Sequence, residues 1–150
     1  MIELDDVRNL IISGLADPQQ PGDVQEEQYA VSVGAACALA RPFTRAGYDV
    51  AIDDVLEPAA FERHWRPLLK GCDWQLIILL PSLEETLARS SGRQKRVWEK
   101  HTHEQHRRMS NWPAGLRIDT TALSVESSLE LVQNSSLPAV SSHSGSAGPA

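Results

Sequence analysis

The sequence has few of the features that mark membrane or secreted proteins. Its apolar runs, such as Leu76 to Leu80, are far shorter than the roughly 20 residues that a membrane-spanning helix needs. The opening Met-Ile-Glu-Leu-Asp-Asp has no basic residue before an apolar stretch, so we expect no secretory leader. Two cysteines, Cys37 and Cys72, are too few for a disulfide scaffold. We expect both to be reduced thiols in the cytoplasm.

Common catalytic signatures are also missing. The sequence contains no G-x-S-x-G, G-x-G-x-x-G or C-x-x-C motif. Three histidines, His101, His103 and His106, lie close together in sequence. On a helix, His101 lies about 200° around the axis from His103, and no further ligand completes a tetrahedral set. We therefore expect no zinc site there.

Charge is unevenly distributed along the chain. A net charge of −6 over 150 residues argues against a general nucleic-acid binder, and we expect neither a nucleic-acid nor a membrane partner. Between Arg89 and Arg108, however, seven basic residues stand against two acidic ones, a net +5 that leaves −11 for the rest of the chain. Such a segment suggests one local anion-binding role, although a solvated helix face fits the same spacing.

Strand-like and helix-like segments alternate, which predicts an α/β fold with a mostly parallel sheet. We predict one domain over residues 1–134 and a disordered Ser/Gly/Pro/Ala tail over 135–150, because the tail has too little apolar surface to order itself. The predicted strands are 2–4, 48–52, 74–80 and 116–118, and the predicted helices are 24–45, 58–70, 82–89, 94–110 and 124–134.

Acidic residues follow three of the four predicted strands. In parallel sheets, ligands bind at the carboxyl ends of the strands, so these acids indicate a site. Asp5 and Asp6 follow the first strand, where they are either a general base and its neighbour or a loop-start pair. Asp53 and Asp54 follow the second, where an acid would orient Mg²⁺ through water, hold substrate or mark a turn. Asp119 follows the last.

Three arginines surround the predicted helix break at Gly92. Arg89, Arg93 and Arg96 could form a mobile flap. Phosphoryl transfer requires such cations, because the charge on the transferring group must be neutralised and water excluded. An exposed end of an amphipathic helix would have the same composition.

Several short pieces of the sequence, taken in order, resemble one family. They are Ile52-Asp53-Asp54-Val55, the run FERHWR at 61–66, the arginine flap and Ile118-Asp119-Thr120-Thr121. Their order and spacing resemble the chloramphenicol phosphotransferase-like group of P-loop small-molecule kinases, from about residue 2 to residue 132.

This resemblance implies five parallel strands in the order 2-3-1-4-5, helices on both faces of the sheet, and ATP- and Mg²⁺-dependent phosphorylation of a small hydroxyl compound. It implies a catalytic base, an acidic residue that binds the metal ion, carboxylates that contact the substrate, arginines that bind the transferring phosphate (the clamp) and residues that bind the nucleotide. By position these roles fall on Asp5 as base, Asp53 as a catalytic and metal-binding acid, Asp6 and Asp54 toward substrate, Arg89 and Arg93 as the clamp, and Arg96, Asp119, Thr120 and Thr121 toward the nucleotide.

The family's first strand and its G-x-x-x-x-G-K-[ST] loop would precede Ile2, and none of the nine glycines here is followed by lysine. We therefore expect an N-terminally truncated kinase that lacks its central strand and, when expressed alone, packs loosely along unpaired strand edges. The alternative is a non-catalytic remnant or an anion-binding protein without ATP turnover.

Overall fold

A computed structural model describes residues 1–18, 20–91 and 99–135. The chain divides into two compact units. The first comprises Met1–Trp74 and Leu83–Pro113, and the second comprises Gln75–Ser82 and the described residues from Ala114 onward. Most of the predicted tail and the start of the predicted basic helix lie outside the described residues.

Both units combine helices with parallel strands, so the predicted α/β class is confirmed. In chain order the elements are β1 (Ile2–Glu3), α1 (Leu4–Arg8), α2 (Asp23–Arg45), β2 (Ile52–Asp53), α3 (Pro58–Ala60), a π-helical turn (Phe61–Trp65), β3 (Ile77–Leu79), α4 (Leu83–Ser91), α5 (Glu99–Asn111), β4 (Leu116–Ile118) and α6 (Val125–Ser135). None of the helices in the described residues is long and apolar enough to span a membrane.

The parallel pair of the first unit is shorter than predicted. Ile2 of β1 lies opposite Ile52 of β2, and Glu3 lies opposite Asp53. Because α1 begins at Leu4, β1 offers only two residues for pairing, so most of the predicted strand 48–52 has no partner in β1. Asp53 is thus the last paired residue of β2 rather than the first residue after it.

Helix α2 provides much of the core of the first unit. The helical spacing of Val33, Ala36, Cys37 and Phe43 predicts one apolar face for this helix. Val33 and Ala36 are fully buried and Cys37 is nearly so, which confirms that face, although Phe43 remains half exposed. The sequence predicts a kink or an end at Pro42, but the helix continues to Arg45. A proline removes only one backbone donor, and this one lies within the last turn of a long helix.

The predicted helix over 58–70 is interrupted. Three residues of α3 pass directly into the π-helical turn, in which the Arg66 N–H donates to the Phe61 carbonyl oxygen at 3.0 Å. Pro67 has no N–H with which to continue an α-helical ladder, and it restricts the residue before it. The wider turn buries both Phe61 and Trp65.

An aromatic cluster completes the core of the first unit. The Phe61 ring lies 5.7 Å from the ring of Trp74 and 5.3 Å from that of Trp112, which follows α5. The Arg66 guanidinium covers the Phe61 and Trp74 rings at 5.4 and 5.8 Å. Met109, near the end of α5, is also buried.

The second unit is a three-residue parallel pair with one helix. Ile77–Leu79 aligns with Leu116–Ile118, and the Leu80 N–H donates to the Ile118 carbonyl oxygen at 2.9 Å. Gly115, at φ +80°, enters β4 so close to Leu76 that a Cβ there would lie 2.9 Å from Leu76 Cγ. A serine at the start of the predicted helix 124–134 is a favoured N-cap. Ser124 does cap α6, since its Oγ accepts the Ser127 N–H at 3.1 Å.

Candidate active site

The carboxyl end of β2 places Asp54 in a hydrogen-bonded network within the first unit. The Tyr29 hydroxyl, from α2, donates to Asp54 Oδ2 at 2.6 Å. Trp65 Nε1, from the π-helical turn, donates to the Tyr29 hydroxyl oxygen at 3.0 Å. Three elements that are distant in sequence therefore meet at one carboxyl group.

Burial raises the pKa of Asp54 from its ordinary 3.8 to about 6, and the negative charge of Asp5 adds to the rise. Hydrogen bonds from Tyr29, Trp65 and the Val55 backbone act in the opposite direction and lower it. Burial and the adjacent Asp54 charge strongly raise the pKa of Tyr29, which therefore keeps its proton and remains a donor. Asp54 is thus a carboxyl group that changes charge just below neutral pH.

A small cavity of about 90 Å³ opens beside this carboxyl group. It is bordered by Leu4, Val55 and four acidic residues, Glu3, Asp5, Asp53 and Asp54. These residues come from the adjacent ends of β1 and β2, where parallel sheets usually bind their ligands. We name the four acidic residues the strand-end carboxylates.

A second polar network, formed by Glu26, Arg63 and His64, contacts the Tyr29 ring through His64. The His64 ring contacts the Tyr29 ring edge-on at 5.6 Å, and its Nε2 lies 2.8 Å from Glu26 Oε1. Arg63 Nη1 donates to the same Glu26 oxygen at 2.5 Å. The hydrogen bond from His64, followed by that from Arg63, lowers the pKa of Glu26, which stays ionised and holds the π-helical turn against α2.

Of the acids predicted to act together, Asp5, Asp53 and Asp54 line one cavity. Asp6 does not, because its position in the first turn of α1 places it on a separate groove of about 270 Å³. Asp53 is exposed, whereas Asp54 is partly buried. The best-positioned acid is therefore Asp54, for which the family resemblance implies only substrate contact.

The predicted arginine flap is described only in part. Arg89 Nε donates to Glu85 Oε1 at 2.6 Å within α4. Arg93 and Arg96 lie outside the described residues. At the other end of the basic segment, Arg108 forms a two-pronged ion pair with Glu57, at 2.7 and 2.8 Å, and also contacts Glu104.

Three of the four residues predicted to face the nucleotide, Asp119, Thr120 and Thr121, belong to the second unit. Asp119 Oδ1 accepts the Thr121 N–H at 2.9 Å and its hydroxyl at 2.5 Å, and these bonds lower the pKa of Asp119. The Thr121 hydroxyl oxygen in turn accepts the Ser82 N–H at 2.7 Å. The three contacts form a turn after β4, with Thr120 buried at its centre.

No protein-family model matches this chain. A comparison with curated proteins finds no match either. Among the residues that the structure describes, no three His, Cys, Asp or Glu side chains are arranged to hold a metal ion.

Sequence reasoning missed Tyr29 and Trp65. Tyr29 falls on the apolar face of α2, where the sequence predicts a core residue, and Trp65 belongs to a run without an assigned role. One signal was available, because a buried tyrosine or tryptophan usually finds a partner for its polar atom. The identity of that partner required the fold.

Replacing Tyr29 with phenylalanine tests the network. The change removes a hydrogen bond that lowers the pKa of Asp54, so the pKa of Asp54 is expected to rise above about 6. Carbon-detected NMR of the carboxyl group across a pH titration measures the shift. Tyr48→Phe, at an exposed tyrosine, is the control. An unchanged Asp54 titration in Tyr29→Phe would show that the hydrogen bond is absent in solution.

Proposed function

We propose that this chain forms the greater part of an ATP-dependent phosphotransferase that acts on a hydroxyl group of a small molecule. The observation that supports this proposal most is Asp54, a partly buried carboxyl group beside a cavity at the end of a parallel strand, with a pKa of about 6. A general base works best when its pKa lies near the working pH.

In this proposal Asp54 accepts the proton of the acceptor hydroxyl group. Above pH 6 it is ionised, and the Tyr29 hydroxyl fixes its orientation. Asp5 lies on the same cavity but is exposed, so we assign it to orienting the acceptor rather than to removing the proton. This reverses the roles that the family resemblance implied for the two acids.

Strand pairing is compatible with the order 2-3-1-4-5. The described strands form two separate parallel pairs, β1 with β2 and β3 with β4. In that order β1 and β2 would be strands 2 and 3, and β3 and β4 would be strands 4 and 5. The resemblance implies that the missing strand 1 carries the phosphate-binding loop. The pairing supports the proposal but is also found in other parallel folds.

The residues that the structure describes do not by themselves suit a triphosphate. No glycine is followed by lysine, and the guanidinium groups of Arg89 and Arg108 are already bonded to glutamates. Mg²⁺ is a better fit to the strand-end carboxylates, since it usually keeps several waters and takes only one or two protein carboxylates. Asp53, exposed at the cavity, would hold it, and the ion would supply positive charge toward the transferring phosphate.

A non-catalytic role is the second candidate. It is favoured by the same lack of a glycine–lysine loop, without which no nest of backbone N–H groups cradles the phosphates. In this alternative the chain binds an anionic metabolite through its basic segment and catalyses no reaction.

The DNA upstream of the Met1 codon separates the two candidates. The phosphotransferase proposal predicts that roughly 120 bases upstream encode, in frame, an apolar strand, a G-x-x-x-x-G-K-[ST] loop and a helix. Sequencing the gene, together with the mass of the protein expressed from it in its own cells, checks the reading frame. A stop codon directly before Met1, together with a cooperatively folding 1–150 protein, would favour the non-catalytic candidate.

A further inference from the structure

The guanidinium group of Arg8 is buried, and no carboxylate of the described residues pairs with it. Arg8 ends α1 and is 7% exposed. Its Nη2 donates to the Ala16 carbonyl oxygen at 2.5 Å. Within the described residues it forms no ion pair, and its buried Nε–H has no acceptor. Arginine is almost never fully buried unless it is paired, so this arrangement needs an explanation.

The two nitrogens, Nε and Nη2, form one edge of the Arg8 guanidinium group. A carboxylate or phosphate binds such an edge with two parallel hydrogen bonds, one to each nitrogen. In Arg8 one nitrogen of this edge is bonded to a neutral carbonyl oxygen, and among the described residues the other has no acceptor. A single carboxylate or phosphoryl group would satisfy both and would also neutralise the charge.

Residues 12–16, the loop segment whose Ala16 carbonyl oxygen bonds Arg8, are held to α2 by hydrogen bonds. Gln28 of α2 accepts the Ala16 N–H at 2.9 Å and donates to the Gly14 carbonyl oxygen at 2.8 Å. The apolar side chains of the loop add little packing, because Ile12 is 98% exposed and Leu15 is 44% exposed. Lifting this segment from Arg8 would break its hydrogen bonds to Gln28 and Arg8 and would uncover part of Leu15 but almost none of Ile12.

We propose that Arg8 is an anion-binding residue for a small molecule that carries a carboxylate or phosphoryl group, which displaces the Ala16 carbonyl oxygen. The site is distinct from the strand-end carboxylates, whose cavity Arg8 does not border. It is distinct too from the basic segment that begins at Arg89. This role of Arg8 does not depend on the phosphotransferase proposal and holds equally for a protein without turnover.

Anion binding to purified residues 1–150 tests the proposal. Inorganic phosphate and acetate are titrated separately at constant ionic strength, and binding is followed by NMR of the arginine Nε–H groups and by thermal unfolding. The wild-type protein is expected to bind at least one anion saturably, with a shift of the Arg8 Nε–H. Comparison of the two titrations shows whether a phosphoryl or a carboxylate group is preferred.

Three variants separate a binding role from a structural one. Arg8→Met is expected to weaken anion binding at least about tenfold, while the fold is retained because no unpaired charge is left behind. Arg8→Lys keeps the charge but loses the two-pronged edge, and an intermediate loss is expected. Arg41→Met removes an exposed arginine on α2 and is expected to change nothing. Equal binding by wild type and both Arg8 variants, or no saturable binding by wild type, would overturn the proposal.

Discussion

Asparagine at position 54 is expected to stabilise the folded protein by about 3 kcal/mol at pH 8 and to change its stability little below pH 4. The pKa of Asp54 rises from 3.8 to about 6 on folding. Its contribution to stability is therefore complete below the unfolded value and is lost as the pH rises through about 6. Asparagine cannot ionise, and its amide oxygen still accepts the hydrogen bond from the Tyr29 hydroxyl group, so the variant avoids this loss.

Urea unfolding of wild type and Asp54→Asn at pH 4, 6 and 8 measures the difference. Asp49→Asn, at an exposed aspartate ahead of β2, is the matched control and should unfold like wild type at each pH. A difference between Asp54→Asn and wild type that does not change with pH would mean that Asp54 is solvated in the folded protein.

A gain of this size would itself indicate function. A partly buried ionisable group that destabilises its own fold, in a cavity at a strand end, is characteristic of groups tuned for proton transfer or ligand binding. The Asp54→Asn substitution would give a more stable protein with a less reactive site.

Alanine at position 61 is expected to destabilise the protein by about 3–5 kcal/mol, the range for deleting a buried phenylalanine ring. Phe61 is 2% exposed and contacts the rings of Trp74 and Trp112 as well as the guanidinium of Arg66. It also begins the π-helical turn that carries Trp65 to Tyr29. Loss of the ring should therefore loosen both the core and the network around Asp54.

Tryptophan fluorescence reports this change directly, because Trp74 and Trp112 lie against the deleted ring. Urea unfolding curves are compared with those of Phe43→Ala, in which the deleted ring is half exposed at the end of α2 and a loss below about 1 kcal/mol is expected. If the two variants lose similar stability, Phe61 does not occupy a core position in solution.

Elements defined by local signals could be predicted from the sequence. The apolar face of α2 repeats at helical spacing, and Ser124 precedes the charged first turn of α6, so both features are predicted correctly. Parallel pairing followed from the alternation of strands and helices. The first two features depend on residues only a few positions apart, whereas the parallel pairing follows from the order of whole segments along the chain.

Features that depend on distant partners could not be predicted. The length of β2 is set by where α1 begins, some fifty positions earlier, and not by its own apolar residues. The bond between Tyr29 and Asp54 joins residues 25 positions apart, and nothing in either local sequence specifies it. The π-helical turn depends on the burial of both Phe61 and Trp65. The strand-end acids could thus be located from the sequence but not ranked.

Phosphate transfer is the most direct test of the proposed function. The protein encoded by the complete reading frame is incubated with γ-labelled ATP, Mg²⁺ and a panel of small hydroxyl compounds, and labelled product is counted. We predict transfer to at least one compound, a loss of about 10²- to 10⁴-fold in Asp54→Asn, and full activity in Asp49→Asn. A complete protein that transfers no phosphate, or one whose Asp54→Asn variant transfers it at the wild-type rate, would contradict the proposed role of the strand-end carboxylates.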